Sequence, residues 1–213
     1  MHQLLTSEKA LIFRIIHRDN LGWVLKNGLH CAASQVRDPN FIPIGSPDLI
    51  VKRTVRAIPH PPGGTLSNYV PFYFTPRSPM LFNIKTGYNG IRQRSSDEIL
   101  FLVTSLSQLA KNNVQFLFTD RHAYLQAAQF SNRIQDLNRI DWRILQNSDF
   151  KRDNNDLGKM ERYQAEALAF NHVPSSALIG VACYTQRVKD EIGPVLAGGI
   201  LEGKAYAQPR WYF

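Results

Sequence analysis

The sequence predicts an α+β fold, with a mixed β-sheet core flanked by helices, in one domain over residues 1–213. Segments typical of strands and helices follow one another in an irregular order, unlike the alternation of a doubly wound parallel sheet. With 213 residues, 44% of them hydrophobic, the chain can close one core. It carries no glycine signature of a Rossmann or P-loop nucleotide site and no serine nucleophile elbow.

The first predicted elements are a buried strand and a short helix. Residues 10–17 are apolar and largely β-branched, which favours a buried strand. Asp19 can cap the helix that follows, and Gly28 stands where a helix that must reverse direction favours a left-handed residue. Three residues of this helix share an apolar face: Leu21, Val24 and Leu25.

A long irregular stretch follows. Residues 30–68 are rich in proline and glycine, so we predict loops with one or two helical turns within residues 48–56. Irregular stretches of this length tend to be functional. The run Pro61-Pro62-Gly63-Gly64 matches a phosphate-binding loop too poorly to indicate one.

Four strands in the middle of the chain together predict a sheet: residues 69–74, 80–84, 98–103 and 114–119. After them we expect a helix over residues 123–130, a partly helical segment over 136–147 and a polar loop over 149–159.

The segment around Glu166 fits either a helix or a strand, and its place among strands favours an edge of the sheet. Beyond it, residues 178–184 predict a strand and residues 186–196 a helix. The apolar residues 211–213 are expected to close the sheet.

We expect a soluble, cytoplasmic protein that does not enter a membrane. No run of eighteen apolar residues occurs, and the first nine residues lack the pattern of a secretory signal. Cys31 and Cys183 lie in apolar segments without closely spaced Cys or His partners, so we predict buried thiols and no metal.

A net charge of +8 indicates a polyanionic partner, although charge that only keeps a protein soluble is an equal alternative. The basic residues are spread along the chain: Lys52, Arg53, Arg56, Arg77, Arg92, Arg94, Arg121, Arg133, Arg139, Arg143, Lys151 and Arg152. Aromatic residues lie between them, which suits stacking on unpaired bases: Tyr69, Phe72, Tyr73, Tyr88, Phe130, Trp142 and Phe150. Single-stranded nucleic acid is therefore favoured.

Glu166 is the residue that most needs an explanation. It places a carboxylate in the otherwise apolar run Ala165-Glu166-Ala167-Leu168-Ala169-Phe170. A dehydrated, unpaired carboxylate costs several kcal/mol, so Glu166 must face water, pair with a cation or serve chemistry. On the segment alone, a surface or paired glutamate is the commoner outcome.

Four separated segments match one known family in order. The most specific is Tyr69-Val70-Pro71-Phe72-Tyr73-Phe74 followed by Arg77-Ser78-Pro79-Met80. The others are residues 15–21 with Gly28-Leu29, residues 118–123 with 140–142, and residues 162–166. Lys52-Arg53 also fits the pattern. Together they resemble the DarT family of bacterial DNA ADP-ribosyltransferase toxins.

The resemblance implies an ADP-ribosyltransferase-like split mixed sheet that holds NAD, as co-substrate, across its cleft. It implies transfer of ADP-ribose to a base of single-stranded DNA, and we expect thymine rather than guanine. It also implies a macrodomain antitoxin of the DarG type, because a free toxin of this kind would poison its own cell.

The resemblance also assigns the catalytic residues. Glu166 would stabilise positive charge on the ribose C1′, hold ribose hydroxyls and help to remove the acceptor proton. Arg53 would lie near the reacting base and stabilise its negative charge. Arg56 is the alternative for this position. For either arginine, the ordinary interpretation is a solvated residue on the surface.

By the same resemblance, His17 would bind a ribose hydroxyl, and the backbone up to Gly28 would hold the nicotinamide amide. Asn20 would order this turn or contact NAD, and Tyr73 would stack on nicotinamide. A satisfied core histidine and a core tyrosine are the ordinary alternatives. Five residues are candidates for DNA contacts: Arg77, His122, Trp142, Lys151 and Arg152.

Two other classes of function stay open. The first is an ADP-ribosyltransferase that uses the same NAD cleft but modifies RNA or protein. The second is a non-catalytic domain that binds single-stranded nucleic acid, in which Glu166 is structural.

Overall fold

One mixed β-sheet organises the protein. The structure is a computed structural model that describes residues 5–213. Its strands are β1 (Leu11–His17), β2 (Leu29–His30), β3 (Tyr69–Tyr73), β4 (Ile99–Ser105), β5 (Phe116–Thr119), β6 (Phe130–Ser131), β7 (Glu166–Phe170), β8 (His172–Val173), β9 (Gly180–Cys183) and β10 (Ala205–Ala207). Eight of them form a sheet in the order β10-β9-β4-β1-β3-β7-β5-β6, and β2 pairs with β8 separately.

Short helices flank the sheet, which confirms the predicted α+β class. They are α1 (Leu21–Asn27), α2 (Pro47–Val55), α3 (Pro79–Thr86), α4 (Leu106–Lys111), α5 (Trp142–Gln146), α6 (Lys159–Arg162) and α7 (Gln186–Leu196). Five of them begin at a residue whose side chain accepts a backbone N–H of the first turn: Ser46, Ser78, Ser105, Asp141 and Thr185.

The sheet is split between β1 and β3. Strand β1 pairs with β4 over its whole length, from Leu11 opposite Ser105 to His17 opposite Ile99. It pairs with β3 only where Phe13 lies opposite Tyr73. The half made of β10, β9, β4 and β1 therefore diverges from the half made of β3, β7, β5 and β6, as the predicted split sheet requires.

The C-terminal residues pack over the sheet instead of extending it. The Trp211 ring lies 5.1 Å from Phe13 and 5.9 Å from Phe101, both edge-on. Tyr212 donates its hydroxyl to the Ile99 carbonyl at 2.9 Å. The edge of the sheet is formed by β10, which the sequence did not predict.

The predicted strand over residues 80–84 is wrong, because these residues belong to helix α3. Ser78 accepts the Leu81 N–H at 3.2 Å, Pro79 occupies the first turn, and Gly87 ends the helix at a left-handed φ of 74°. Proline at the start and glycine after the end are standard helix boundaries, and here they outweigh the β-like composition between them.

The predicted helix over residues 123–130 is also wrong. Its backbone forms isolated turns, such as Leu125 N–H to the His122 carbonyl at 3.0 Å, and ends in β6. Asp120 fixes this path by accepting the Gln129 N–H at 2.9 Å, because that bond brings the two ends of the segment together.

The segment of Glu166 is a strand, but it lies inside the sheet and not at its edge. Strand β7 pairs with β3 on one side and with β5 on the other. The sequence of a strand buried on both faces is a continuous apolar run. Periodicity cannot distinguish such a run from a buried helix, which explains why both were possible for this segment.

Other expectations hold. The strand over residues 10–17, the helices within 48–56 and over 186–196, and the buried thiols of Cys31 and Cys183 are confirmed. Asp19 lies in a short 3-10 turn, so α1 begins after Asn20 and not at Asp19. Among residues 5–213 no helix is long and apolar enough to cross a membrane.

Candidate active site

Glu166 lies at the centre of a buried cluster formed by four parts of the chain. It opens strand β7 directly opposite Tyr73, and only 3% of the residue is exposed. Arg53 Nη1 donates to its Oε2 at 2.9 Å, and Ala123 N–H donates to its Oε1 at 3.0 Å. His122 Nδ1 lies 3.2 Å from the same Oε1. The carboxylate is therefore dehydrated and paired.

These partners keep Glu166 ionised. Burial by itself would raise the pKa of Glu166, but Arg53, His122 and the Ala123 N–H together hold it below its usual value. A fixed negative charge is thus available inside a cleft at neutral pH.

The turn after β5 aims a backbone donor at the carboxylate. The Thr119 hydroxyl donates to the Arg121 carbonyl at 2.6 Å and accepts the Glu166 N–H at 3.2 Å. It therefore ties the turn to strand β7, and the next peptide N–H, that of Ala123, reaches Glu166.

Helix α2 delivers Arg53, and the structure separates Arg53 from its neighbour Arg56. None of the residues of α2 is buried, yet only 11% of the Arg53 side chain is exposed because it reaches inward to Glu166. Arg56 turns instead to the Leu125 carbonyl at 2.9 Å and to Gln126 Oε1 at 3.1 Å.

Arg53 also retains free donor capacity. Its Nη2 is buried and has no hydrogen-bond partner among residues 5–213. A buried guanidinium nitrogen without an acceptor is rare and costly, which fits a site whose ligand supplies an acceptor.

Tyr73 and Arg14 complete the electrostatic environment. Burial and the nearby Glu166 carboxylate raise the pKa of Tyr73 far above its usual value, so its hydroxyl stays protonated. Arg14, on β1, is a site residue that the sequence reasoning missed. The signal was present, since Arg14 is a lone cation in an apolar strand, as Glu166 is a lone anion.

His17 and Asn20 lie at the end of β1 and organise the loops there. His17 Nδ1 accepts the Asp19 N–H at 3.2 Å, and its Nε2 lies 3.5 Å from both Glu98 Oε1 and Arg94 Nη1. Asn20 is buried and exchanges two hydrogen bonds with the backbone of Ile42, at 2.9 and 3.0 Å. Its amide therefore orders the long loop before α2.

Gly28 is required by both conformation and space. Its φ is 79°, and a Cβ at this position would lie 2.3 Å from His172 Nε2 and 2.5 Å from the Val173 carbonyl oxygen. The chain can therefore turn from α1 into β2 only through glycine.

The predicted DNA contacts divide into two groups. His122 lies at Glu166, while Lys151 and Arg152 are exposed and form no hydrogen bond or ion pair with residues 5–213. Arg77 donates twice to the Tyr212 carbonyl, and the Trp142 indole donates to the Leu137 carbonyl at 2.9 Å. The polar groups of this second pair are thus engaged within the protein.

Several aromatic residues expected to stack on bases are in the core. Tyr69 and Phe72 are 1% and 0% exposed, so they cannot face a ligand in solution. Tyr88, at 60% exposed, is accessible. The aromatic pattern of the sequence therefore combines core residues with at least one ring that a ligand can reach.

Solved structures share both this fold and its chemistry. The chain superposes on Thermus sp. 2.9 DarT in complex with ADP-ribosylated single-stranded DNA with a TM-score of 0.87, at 32% identity and 97% coverage of both chains. It superposes on the same protein in complex with NAD+ with a TM-score of 0.79, at 30% identity, covering 96% of this chain and 98% of the other. The fold that this chain shares with these complexes is that of NAD-dependent DNA ADP-ribosyltransferases.

The sequence comparisons assign the family. The family model described as ssDNA thymidine ADP-ribosyltransferase, DarT, matches residues 13–213. A DNA ADP-ribosyl transferase of Escherichia coli is 48% identical over 98% of this chain and 96% of its own length. The chain therefore belongs to the DarT family of DNA ADP-ribosyltransferases, and the resemblance predicted from its motifs is confirmed.

Proposed function

We propose that this enzyme transfers ADP-ribose from NAD to a thymine base of single-stranded DNA, in a short sequence context, and releases nicotinamide. The observation that carries the proposal is the buried, ionised Glu166 held by Arg53 in the cleft. The description of the family model supports thymine as the base.

The residues of the cleft fit NAD. Arg53 Nη2 offers an unused buried donor, and the Glu166 carboxylate matches a substrate that develops positive charge. We assign His17 and the backbone near Gly28 to the nicotinamide riboside end, with Tyr73 against the ring and Asn20 ordering the loop beside it. The bound dinucleotide supplies the ADP-ribosyl group and a neutral leaving group.

Glu166 acts first through its charge. Breaking the bond between ribose C1′ and nicotinamide creates an oxocarbenium-like transition state, which a fixed carboxylate stabilises where water is excluded. Because its pKa is lowered, Glu166 is ionised at neutral pH and needs no rearrangement to do this.

The acceptor must also lose a proton. As the ring nitrogen of the base bonds to C1′, its N–H bond breaks, and the Glu166 carboxylate takes the proton. Arg53 stabilises the negative charge that the ring carries at this point. Its second terminal nitrogen, Nη2, supplies a donor that is not already used by Glu166.

We assign DNA binding to His122, Lys151 and Arg152. His122 lies beside the reacting carboxylate, where the base must enter, and the two exposed cations suit the phosphates on either side. Arg77 and Trp142 are left out of this assignment because their polar groups already bind backbone carbonyls.

We also propose that the enzyme acts in the cytoplasm and is paired with a DarG-like macrodomain antitoxin. The two substrates, NAD and DNA, are both cytoplasmic. A DNA-modifying activity without a reversing partner would harm its own cell, which supports the antitoxin.

Mass spectrometry of short oligonucleotides after incubation with NAD tests the reaction. We expect the mass of one ADP-ribosyl group on strands that contain thymine in one context, and none with Glu166→Gln. Modification of guanine would overturn the assignment of the base. ADP-ribosylation of RNA or protein instead of DNA would establish a different acceptor. If NAD stays intact in the presence of every polymer, the proposal is refuted.

A further inference from the structure

Arg14 is a charged residue in the middle of the central strand β1. Its neighbours Phe13 and Ile15 are buried, at 0% and 7% exposed. A cation in such a strand is expensive unless it is paired or serves a purpose. No acidic side chain of residues 5–213 lies within ion-pair distance of Arg14, so its contacts must explain it.

Arg14 reaches across the split in the sheet. Its Nη1 donates to the Pro71 carbonyl at 3.0 Å, at a point where β1 and β3 no longer form a regular ladder. Pro71 lies two residues before Tyr73, and Tyr73 is the register partner of Glu166. The guanidinium therefore fixes β3 just before it enters the active site.

Arg14 also interacts electrostatically with the site. Burial lowers the pKa of Arg14 to about 10, with Arg53 acting in the same direction and with Tyr73 and Glu166 opposing it. Arg14 is thus charged at neutral pH. Arg53 pairs directly with the Glu166 carboxylate, whereas Arg14 interacts with it at longer range.

This arrangement matters because Arg53 has two tasks. If Arg53 shifts to engage a base, its Nη1 bond to Glu166 weakens, and only His122 and the Ala123 N–H stay as direct partners of the carboxylate among residues 5–213. A second cation that is tied to the backbone does not move with the substrate. The Arg14 Nε is buried and has no hydrogen-bond partner among residues 5–213. The position and the charge of Arg14 therefore explain its presence better than a full set of hydrogen bonds does.

We propose that Arg14 is a positioning residue of the transferase: it holds Tyr73 across the sheet split and supports the charge of Glu166 while Arg53 engages the base. The proposal rests on the proposed function, because it assigns Arg14 a part in that reaction. Lysine keeps the charge but not the Nη1 group that reaches the Pro71 carbonyl, so Arg14→Lys tests the second task separately from the first.

The test compares Arg14→Met with Arg14→Lys in the full chain. We expect Arg14→Met to lower kcat for oligonucleotide modification by roughly tenfold or more while KM for NAD changes less. The acidic limb of its pH–rate profile should move to higher pH, because the groups of residues 5–213 that then face Glu166 are Arg53, His122, Tyr73 and the Ala123 N–H. Arg14→Lys should restore the position of that limb.

A second measurement is independent of turnover. The carboxyl group of Glu166 can be titrated by NMR in wild type and in Arg14→Met, and its midpoint should be higher in the variant. Thr104→Val is the matched control: Thr104 donates a buried hydroxyl to the Ala177 carbonyl, so the variant loses a side-chain tie to the backbone without a charge. It should lower the melting temperature and leave both pH measurements unchanged.

The outcomes separate the two claims. If wild type modifies no polymer, the proposed function fails, and the NMR midpoint alone decides the role of Arg14. If wild type is active and Arg14→Met keeps its kcat, its pH profile and its midpoint, the role of Arg14 is refuted. Loss of activity that follows only the folded fraction, as in Thr104→Val, would also refute it.

Discussion

Glu166 shows how one buried charge can be both stable and reactive. Arg53, His122 and the Ala123 N–H contact the carboxylate, and the same contacts keep it ionised, as the proposed reaction requires. The functional and structural explanations of a buried carboxylate are therefore not exclusive at this position. To separate the two explanations, the charge of Glu166 must be changed and NAD binding and turnover must be measured independently.

Glu166→Gln keeps the shape of the side chain and removes its charge. We expect kcat to fall by roughly 100- to 1,000-fold, because the charge acts mainly in the transition state, while NAD binding by calorimetry weakens much less. The melting temperature should also fall, since Arg53 loses its buried partner. Glu161→Gln is the control, because Glu161 is a half-exposed carboxylate five residues away. Equal losses in both variants would contradict the assignment.

Arg53→Ala and Arg56→Ala test the choice between two neighbouring arginines. Arg53 contacts Glu166, whereas Arg56 braces the turn at Leu125, so we expect Arg53→Ala to abolish transfer and Arg56→Ala to retain most of it. Rates at saturating NAD, measured below the melting temperature of both variants, provide the comparison. Inactive Arg56→Ala beside active Arg53→Ala would reverse the assignment.

Glu98 should make the free energy of unfolding depend on pH in the acidic range. Burial opposes the shift, but the backbone of Ser95, the Arg94 side chain and His17 lower the pKa of Glu98 from 4.5 to about 2. Its contribution to stability is therefore complete above pH 4.5 and is lost as the pH falls through about 2. The difference in free energy of unfolding between wild type and Glu98→Gln should shrink over that range in urea titrations. A constant difference would contradict the shift.

At the scale of elements, helix α2 is weakly anchored, although it carries Arg53, to which we assign a part in the proposed reaction. None of its residues is buried, and Val51 and Val55 are 67% and 78% exposed. Elements with few buried apolar contacts open locally at low free energy. We infer that the approach of Arg53 to Glu166 depends on how well α2 is formed.

Ser46→Ala removes the cap of α2, where the Ser46 hydroxyl accepts the Leu49 N–H at 3.4 Å. We expect a local cost of about 0.5–1 kcal/mol, faster amide exchange confined to α2 and a several-fold lower rate of transfer, with little change in melting temperature. Ser105→Ala is the control, because it uncaps α4, which does not contribute a side chain to the site. Uniform exchange changes across the sheet would contradict a local effect.

The two errors in secondary structure have different causes. Residues 80–84 have strand-like composition, but Ser78, Pro79 and Gly87 fix both ends of a helix around them. Residues 123–130 have helical composition, but the Asp120 side chain folds them into turns through one long-range bond. Boundary residues were readable in the first case, whereas the bond from Asp120 depends on tertiary structure.

The candidate site was predictable only in part. The apolar run alone singled out Glu166, but its role and that of Arg53 came from family motifs, and the two residues are 113 positions apart in the chain. Without that resemblance, nothing local connects an exposed-looking helix to a buried strand. Arg14 is the opposite case: the strand pattern alone marks it as a lone cation in an apolar strand, but the sequence reasoning missed it.

At the scale of the whole molecule, the net charge of +8 favours the first electrostatic attraction between the protein and DNA, before a base enters the site. The cations with exposed side chains supply attraction, whereas those of the cluster are buried and hold Glu166. The net charge is therefore the sum of cations with two different roles. Salt should weaken the interaction of DNA with the exposed cations and leave the buried pairs at Glu166 unchanged.

The double variant Lys151→Ala/Arg152→Ala tests the exposed part. On single strands each phosphate contact contributes a slope of about −0.7 to the plot of log affinity against log salt, so the slope should become shallower by about 1.4 if both residues bind phosphates. Anisotropy of a labelled thymine-containing oligonucleotide across a salt series measures it. Lys204→Ala/Arg210→Ala removes the same charge near β10, at the far edge of the sheet. If both double variants changed the slope equally, general attraction rather than a defined DNA path would explain binding.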